Sequence, residues 1–338
     1  MTLLTIIIPS NRTLQNARGS LDSALIYAEK TGCRVIVADN SGDAEKPLRY
    51  RNASSQLLYL DTTGYSANQN YMAALNEVDT PFVMPMGDDD EIYSLDRQPR
   101  FDLANAPADV AGVRPLTLTW SVENGVHARD DNPLTALHAD ERIRQFSDPA
   151  RRNNTIYYSI FRTGMFKSVF ALFDAHHPTS GGYCDWAIVA CFVACGRILH
   201  DPSTLFRYDL GRWASQAGVE QATLSLFRQV GMPDESEAYT GLLRFVDTHG
   251  LLMAKDLPIS AYDRERALML NAQVALTAFV KRTGEKPQQF TPEALTFAAK
   301  IPGFSSLEQA YDAALPVLER LKPGLGAKYQ TFLERAVA

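Results

Sequence analysis

The most constraining feature of this sequence is the run Leu3–Ile8, six apolar or β-branched residues broken off by Pro9. A strand that is apolar on both faces must be covered on both faces. That is the signature of a parallel sheet rather than of an antiparallel sheet with one wet side. Two similar runs follow, Arg34–Ala38 (RVIVA) and Pro81–Met86, with a weaker one at Leu57–Leu60. Leu14, Ala17, Leu21, Leu25 and Ala28 recur at helical spacing between the first two runs, and Gly32 is placed to stop that helix. Ser66-Ala67-Asn68-Gln69 fits a capping box, with Tyr71, Ala74, Leu75 and Val78 as the apolar face behind it. The resulting β-α-β-β-α-β order predicts an α/β fold: an open, mostly parallel sheet with flanking helices.

Sheets of this kind bind ligands beyond the carboxyl ends of their strands. Here those ends carry Pro9-Ser10-Asn11-Arg12, Asp39-Asn40-Ser41 and Gly87-Asp88-Asp89-Asp90, which should share one crevice. Three adjacent carboxylates repel one another and gain nothing by packing. A divalent cation with a preference for oxygen ligands, Mg²⁺ or Mn²⁺, is one way to compensate them, with substrate phosphates completing its shell. A solvated acidic turn is the plainer alternative. Asp39 could accept hydrogen bonds from a base or a ribose, or serve the turn of its D-N-S-G stretch. Thr63–Asn68 leads into a helix N-terminus, where unpaired N–H groups suit diphosphate oxygens as well as simple capping. Asp185 follows a glycine-rich loop and opens another helix. It is either a first-turn carboxylate with no further duty or an ionised base for an acceptor hydroxyl.

Beyond residue 215 strand signals cease. Helical segments follow at about 217–230, 236–248, 261–282, 292–300, 306–321 and 326–337, punctuated by Gly231, Pro233, Gly250, Pro258, Pro287, Pro302, Pro323 and Gly324. The expected organisation is therefore a sheet-bearing domain over residues 1–215 and a helical domain over 216–338.

A net charge of −6 argues against a nucleic-acid partner. Cys184, Cys191 and Cys195 fall at helical spacing, which reads as a buried helix face. A zinc site would want a C-x-x-C pair or matched histidines. His176, His177 and His200 are weighed as ligands or acceptor contacts, and Trp213 as a sugar-stacking ring, against ordinary structural roles. The N-terminus lacks the basic and long apolar regions of a signal peptide, and Ala267–Val280 is too short to span a bilayer. These features predict a cytoplasmic protein without a transmembrane segment, with room for peripheral attachment at the inner membrane face. Oligomeric state is not legible.

Taken in order, TIIIPSNR, VIVADNSGD, GYSANQNYMAAL, FVMPMGDDDEI and GYCDWAIVACFVACGRILHDPSTLFRYD resemble the successive motifs of family 2 glycosyltransferases, which have the GT-A (Rossmann-like) fold. The resemblance spans residues 3–210. It implies a nucleotide-sugar donor, with a UDP-sugar first in line, a Mn²⁺ or Mg²⁺ cofactor, and a saccharide or glycoconjugate acceptor such as arises in surface-polysaccharide biosynthesis. By the same resemblance Pro9, Ser10 and Arg12 look like the loop under the nucleotide. Asp39 resembles the base-binding carboxylate, and Asn68 and Asn70 resemble polar neighbours of the donor. Asp88, Asp89 and Asp90 resemble the DxD motif for metal, ribose and diphosphate, Asp88 also facing the nucleotide. Asp185 stands where the acidic base lies.

Departures are visible too. Gly87 stands where an Asp is common, and Gln69 where an Arg is frequent. The Q-x-x-R-W motif of processive members is missing before Arg212-Trp213, which favours transfer of a single sugar. Two other readings stay open. One is a sugar nucleotidyltransferase, which should carry a glycine-rich basic loop after the first strand. The other is a catalytically silent nucleotide-, sugar- or partner-binding module. The acceptor is expected to engage residues about 110–180 and the helical tail.

Overall fold

A computed structural model describes residues 2–99, 101–148 and 154–338. The chain divides into two compact units. The first comprises Met1–Thr135, Asn153–Lys167 and Gly196–Ala214; the second comprises Ala136–Arg152, Ser168–Cys195 and Ser215–Ala338. The last passage of the chain from one unit to the other falls between Ala214 and Ser215. Segments 136–152 and 168–195 belong with the helices.

The first unit is built on one mixed sheet. Its strands are β1 (Leu4–Ser10), β2 (Arg34–Asp39), β3 (Leu57–Asp61), β4 (Phe82–Pro85), β5 (Glu91–Ser94), β6 (Val110–Ser121), β7 (Gly125–Asp130), β8 (Ile160–Arg162) and β9 (Arg197–Asp209). Spatial order is β3-β2-β1-β4-β8-β6-β9-β5, with β7 paired to β6. The half from β3 to β4 is parallel throughout, as the apolar runs predict. β8 then pairs antiparallel with both β4 and β6, while β6 and β9 run parallel.

The helix α1 (Leu14–Thr31) lays Ala17, Leu21, Ala24 and Ala28 against Ile6, Ile8, Val35 and Val37, all fully or almost fully buried. Gly32 ends it in the left-handed region at φ 75°, its N–H bonding Ala28 O at 2.8 Å, a conformation that only glycine adopts without strain. A short helix, α2 (Glu45–Tyr50), precedes β3, and α3 (Ala67–Asn76) opens with both halves of the Ser66–Gln69 capping box in place. Gln69, where the family resemblance suggests an arginine, thus has a local structural task.

The second unit contains α4 (Ala139–Ser147), α6 (Asp185–Cys195), α7 (Gln216–Gln229), α8 (Thr240–Leu252), α9 (Ala261–Glu285), α10 (Pro292–Lys300), α11 (Leu307–Leu321) and α12 (Leu325–Val337). The helix α5 (Thr163–His176) carries the chain into it. α6 is apolar all round and buried from Ala187 to Ala194, which explains the cysteine spacing. Its last carbonyls lack intrahelical partners. Arg142 supplies them, with Nε 2.7 Å from Val193 O and Nη2 2.7 Å from Ala194 O. α8 forms the centre of this unit, with Leu242, Phe245 and Val246 buried alongside Phe279, Tyr311 and Phe332. Among the described residues no helix is long and apolar enough to cross a membrane.

Candidate functional site

In the parallel half of the sheet, the register aligns Ser10 with Asp39 and Asp39 with Asp61. The carboxyl ends of β1 and β2 therefore lie side by side, and β4 pairs with β1 on the other flank and delivers the acidic triplet. The three polar strand ends singled out in the sequence do converge.

They are joined by a residue that the sequence reading missed. Lys46, on the buried face of α2, is fully buried. Its ammonium lies 2.6 Å from Asp39 Oδ1, 2.7 Å from Ser10 Oγ and 2.9 Å from Arg12 O. Burial of a lone ammonium would be prohibitive, and these oxygens are what make it tolerable. The available signal was the four-residue spacing of Lys46 and Tyr50, which puts the lysine on the same helix face as a core aromatic.

Asp39 is correspondingly engaged. Its Oδ1 also accepts from Ser41 N at 3.1 Å, and Tyr59 Oη donates to Oδ2. Desolvation, then the hydrogen bond to Asp39, pushes the Tyr59 phenol well above its ordinary pKa, so Tyr59 remains a donor.

The three triplet carboxylates have separate surroundings. Asp88 faces inward onto the β1 loop. Its Oδ2 accepts from Ser10 Oγ at 2.8 Å and from the backbone N–H groups of Asn11 and Arg12, both at 3.0 Å, while Arg12 Nε reaches Oδ1 at 3.2 Å. Asp90 is entirely buried, accepting from Gly87 N at 3.2 Å and Asp209 N at 3.0 Å. Burial, then the charge of Asp89, holds its carboxyl well above the usual range. Asp89 alone is partly open, with 36% of its side chain exposed, and its one side-chain partner among the described residues is Arg12. Its pKa too is raised, by desolvation first, with Arg12 opposing and Asp88 adding to the rise. An acid crowded in this way is short of positive charge. A hard divalent cation, with phosphate oxygens beside it, fits that deficit and the all-oxygen donor set.

Gly87 leaves the room the triplet needs. A Cβ there would sit 2.7 Å from Asp89 Oδ1 and 2.8 Å from Asp90 Oδ2. Any side chain at this position would push these two carboxylates from their present places.

Of the other residues of the β1 end singled out in the sequence, Arg12 is exposed and Pro9 half-buried. Asn70 is buried and accepts from Thr62 Oγ1 at 2.5 Å, which makes it a brace behind the loop. Asn68, two residues earlier, is half-buried.

Asp185 belongs to the second unit. It is exposed at the start of α6, and its Oδ1 accepts from Trp186 N at 2.6 Å. Next to it Trp186 is clamped, stacked on Phe146 at 4.3 Å with Arg244 over the ring at 4.6 Å.

His177 lies with Cys184 and Asp247 in a buried cluster whose ligand atoms are within 4.8 Å of one another. Its hydrogen bonds speak against a metal. Nδ1 accepts from Ser180 N at 3.0 Å and Thr179 N at 3.3 Å, so the ring proton sits on Nε2 and points to Asp247 Oδ1 at 3.0 Å. A metal at Nε2 would require the ring to lose its last proton. The cluster, completed by Tyr329 Oη donating to Asp247 at 2.5 Å, ties the loop before α6 to α8 and α12.

No known protein family matches this sequence, and no curated protein sequence is detectably similar to it. Among solved structures the chain is similar to Staphylococcus aureus TarS residues 1–349, at a TM-score of 0.41 and 13% identity, covering 93% of this chain and 90% of that one. It is also similar to the same TarS fragment in complex with UDP, at a TM-score of 0.47 and 15% identity over 100% of this chain and 89% of that one.

Proposed function

We propose that this protein is a metal-dependent, inverting glycosyltransferase. It would move a single sugar from a nucleoside-diphosphate sugar, UDP-linked in the first instance, to an acceptor hydroxyl. The observation that carries the reading is the state of Asp89. In a crevice where Lys46, Ser10, Arg12 and the β1 backbone satisfy the neighbouring carboxylates, it is the triplet member left partly open, with a raised pKa. The ordered motifs over residues 3–210 support the same reading.

In this scheme Asp89 is the principal metal ligand of the triplet. Asp88 and Asp90 hold the loop that aims it. Ser10, Arg12 and the start of α3 line the nucleotide, and Tyr59 and Asp39 form the wall that its base meets. The cation, when bound, supplies positive charge beside the diphosphate. Asp185 takes the proton of the acceptor hydroxyl as that oxygen bonds to the anomeric carbon. The bond from that carbon to the phosphate oxygen breaks at the same time, and its electron pair leaves with the nucleoside diphosphate. Attack from the face opposite the leaving group inverts the centre.

The test is calorimetry of the full chain with UDP, GDP, CDP and TDP, with and without Mn²⁺. One nucleotide bound tightly only with metal supports the proposal. Absence of nucleotide binding under every condition would replace it with the silent binding module.

A further inference from the structure

The second unit holds a groove of about 360 Å³ that the proposed chemistry leaves unassigned. Trp186, Ala190, Val274, Ala275 and Ala278 give it an apolar wall, and Asn271, Thr223 and Thr240 add polar groups. Arg244 and Arg282 both belong to the lining. Their situations differ sharply. Arg282 is paired with Glu237 at 2.7 Å. Arg142, Arg264 and Arg266 of the same unit are likewise spent on carbonyls or carboxylates. Among the described residues no carboxylate or carbonyl pairs with Arg244.

Arg244 is nevertheless held. Its guanidinium lies over the Trp186 ring, 4.6 Å from the centroid, and Phe146 backs that ring, so the cation is held by packing rather than by an anion. It is exposed to the groove yet surrounded closely enough that desolvation pulls its pKa down, with Asp185 as the one charge opposing that shift. Two further polar atoms of the lining, Arg282 Nε and Ser147 Oγ, are buried without hydrogen-bond partners among the described residues. Pre-positioned donors with no internal acceptor, beside an apolar wall, describe a receptor for a small oxyanion that carries an apolar or sugar-ring flank.

We propose that this groove binds the anionic group, carboxylate or phosphate, of a sugar-sized ligand, with Arg244 as its principal contact. Resting on the glycosyltransferase reading, in which Asp185 is the base one residue before Trp186, the ligand is part of the acceptor, which would then be an acidic glycan or a sugar phosphate. Glu237 does not oppose this, being neutralised by Arg282. Asp185 accepts the hydroxyl end while Arg244 takes the charge.

The test is titration of the full chain with glucuronate and glucose 1-phosphate against glucose, at low and at 0.5 M salt. The anionic sugars should bind at least about tenfold more tightly than glucose, and the preference should shrink with salt. Arg244→Gln should abolish the preference. Arg244→Lys should not restore it, because an ammonium neither stacks nor forks. UDP binding with Mn²⁺ should be unchanged in both variants. Equal binding of neutral and acidic sugars by the unmodified chain would overturn the proposal, as would an anion preference that survives Arg244→Gln. If the preference holds but no nucleotide binds, the groove stands and the glycosyltransferase reading fails.

Discussion

Lys46 Nζ lies 2.6 Å from Asp39 Oδ1, with the lysine side chain fully buried and the aspartate 4% exposed. The same ammonium reaches Ser10 Oγ, which in turn donates to Asp88 Oδ2. A continuous polar chain therefore runs from the end of β2, through the end of β1, to the first carboxylate of the triplet. One buried cation sets the geometry of both ends of the crevice.

Replacing Lys46 by Met should destabilise the fold by about 3–5 kcal/mol, because Asp39 keeps its burial and loses its counter-charge. Chemical denaturation measures this directly. The double variant Lys46→Met with Asp39→Asn should recover a large part of the loss. Additive losses would mean that the two groups are not coupled.

Asp89 leads to the opposite expectation. Its folded-state pKa is raised above the ordinary 3.8. The folded chain thus binds the proton more readily than the unfolded chain, and stability falls as pH rises through that window. At neutral pH the ionised carboxylate is a burden on the metal-free protein. Asp89→Asn should raise the melting temperature there by about 1–2 °C, while abolishing Mn²⁺-dependent nucleotide binding. A variant that melts lower at pH 7 and still binds metal and nucleotide would remove Asp89 from the site.

Gly87→Ala tests the packing of the triplet without touching its charges. The added methyl must displace Asp89 Oδ1 and Asp90 Oδ2, both under 3 Å away. Asp90 is anchored by two backbone N–H groups. Asp89, whose one side-chain partner among the described residues is Arg12, is the one that yields. Metal-dependent nucleotide affinity should fall by about tenfold, with far-ultraviolet circular dichroism unchanged.

Much of the scaffold was readable because its signals are local. β1, β2, β3 and β4 form where apolar runs meet polar stops, and the six C-terminal helices appear within about four residues of their expected limits. What the sequence concealed depends on pairing at a distance. β6 and β9 are strands of 12 and 13 residues, yet each contains a proline, at Pro115 and Pro202, that interrupts the pattern of a central strand. The structure absorbs them in a register shift between Pro115 and Leu116, opposite Asp201–Leu205. Arg114, next to that bulge, is buried against Asp130 at 2.5 Å, a partner only the folded hairpin supplies. The acidic triplet was legible as a group. Its division into two inward carboxylates and one open one was not, since it rests on contacts to β1 and β9.

Asp185→Asn separates chemistry from binding. An amide keeps the size and one acceptor oxygen of the carboxylate but takes no proton. Transfer should drop by about 10²–10⁴-fold, the usual contribution of a general base, with UDP affinity and melting temperature unaltered. Turnover at the unmodified rate would exclude Asp185 as the base.

The helical unit carries its own pH sensitivity in His249, and it is predictable in sign. His249 is 4% exposed and lies against Tyr311, with ring centroids 4.9 Å apart. Desolvation brings its pKa down from 6.5 to about 4, with Glu308 pulling weakly the other way. Below pH 6.5 the unfolded chain takes up a proton that the folded chain refuses. Stability is therefore whole above that pH and is lost as pH falls toward 4, by about 3 kcal/mol in total. His249→Leu removes the titration and keeps an apolar side chain among Phe245 and Tyr311. Urea unfolding at pH 7 and pH 4.5 should show a smaller loss for the variant than for the unmodified chain. Equal losses would mean that His249 takes up its proton alike in the folded and unfolded chains, and that the acid sensitivity of this unit lies elsewhere.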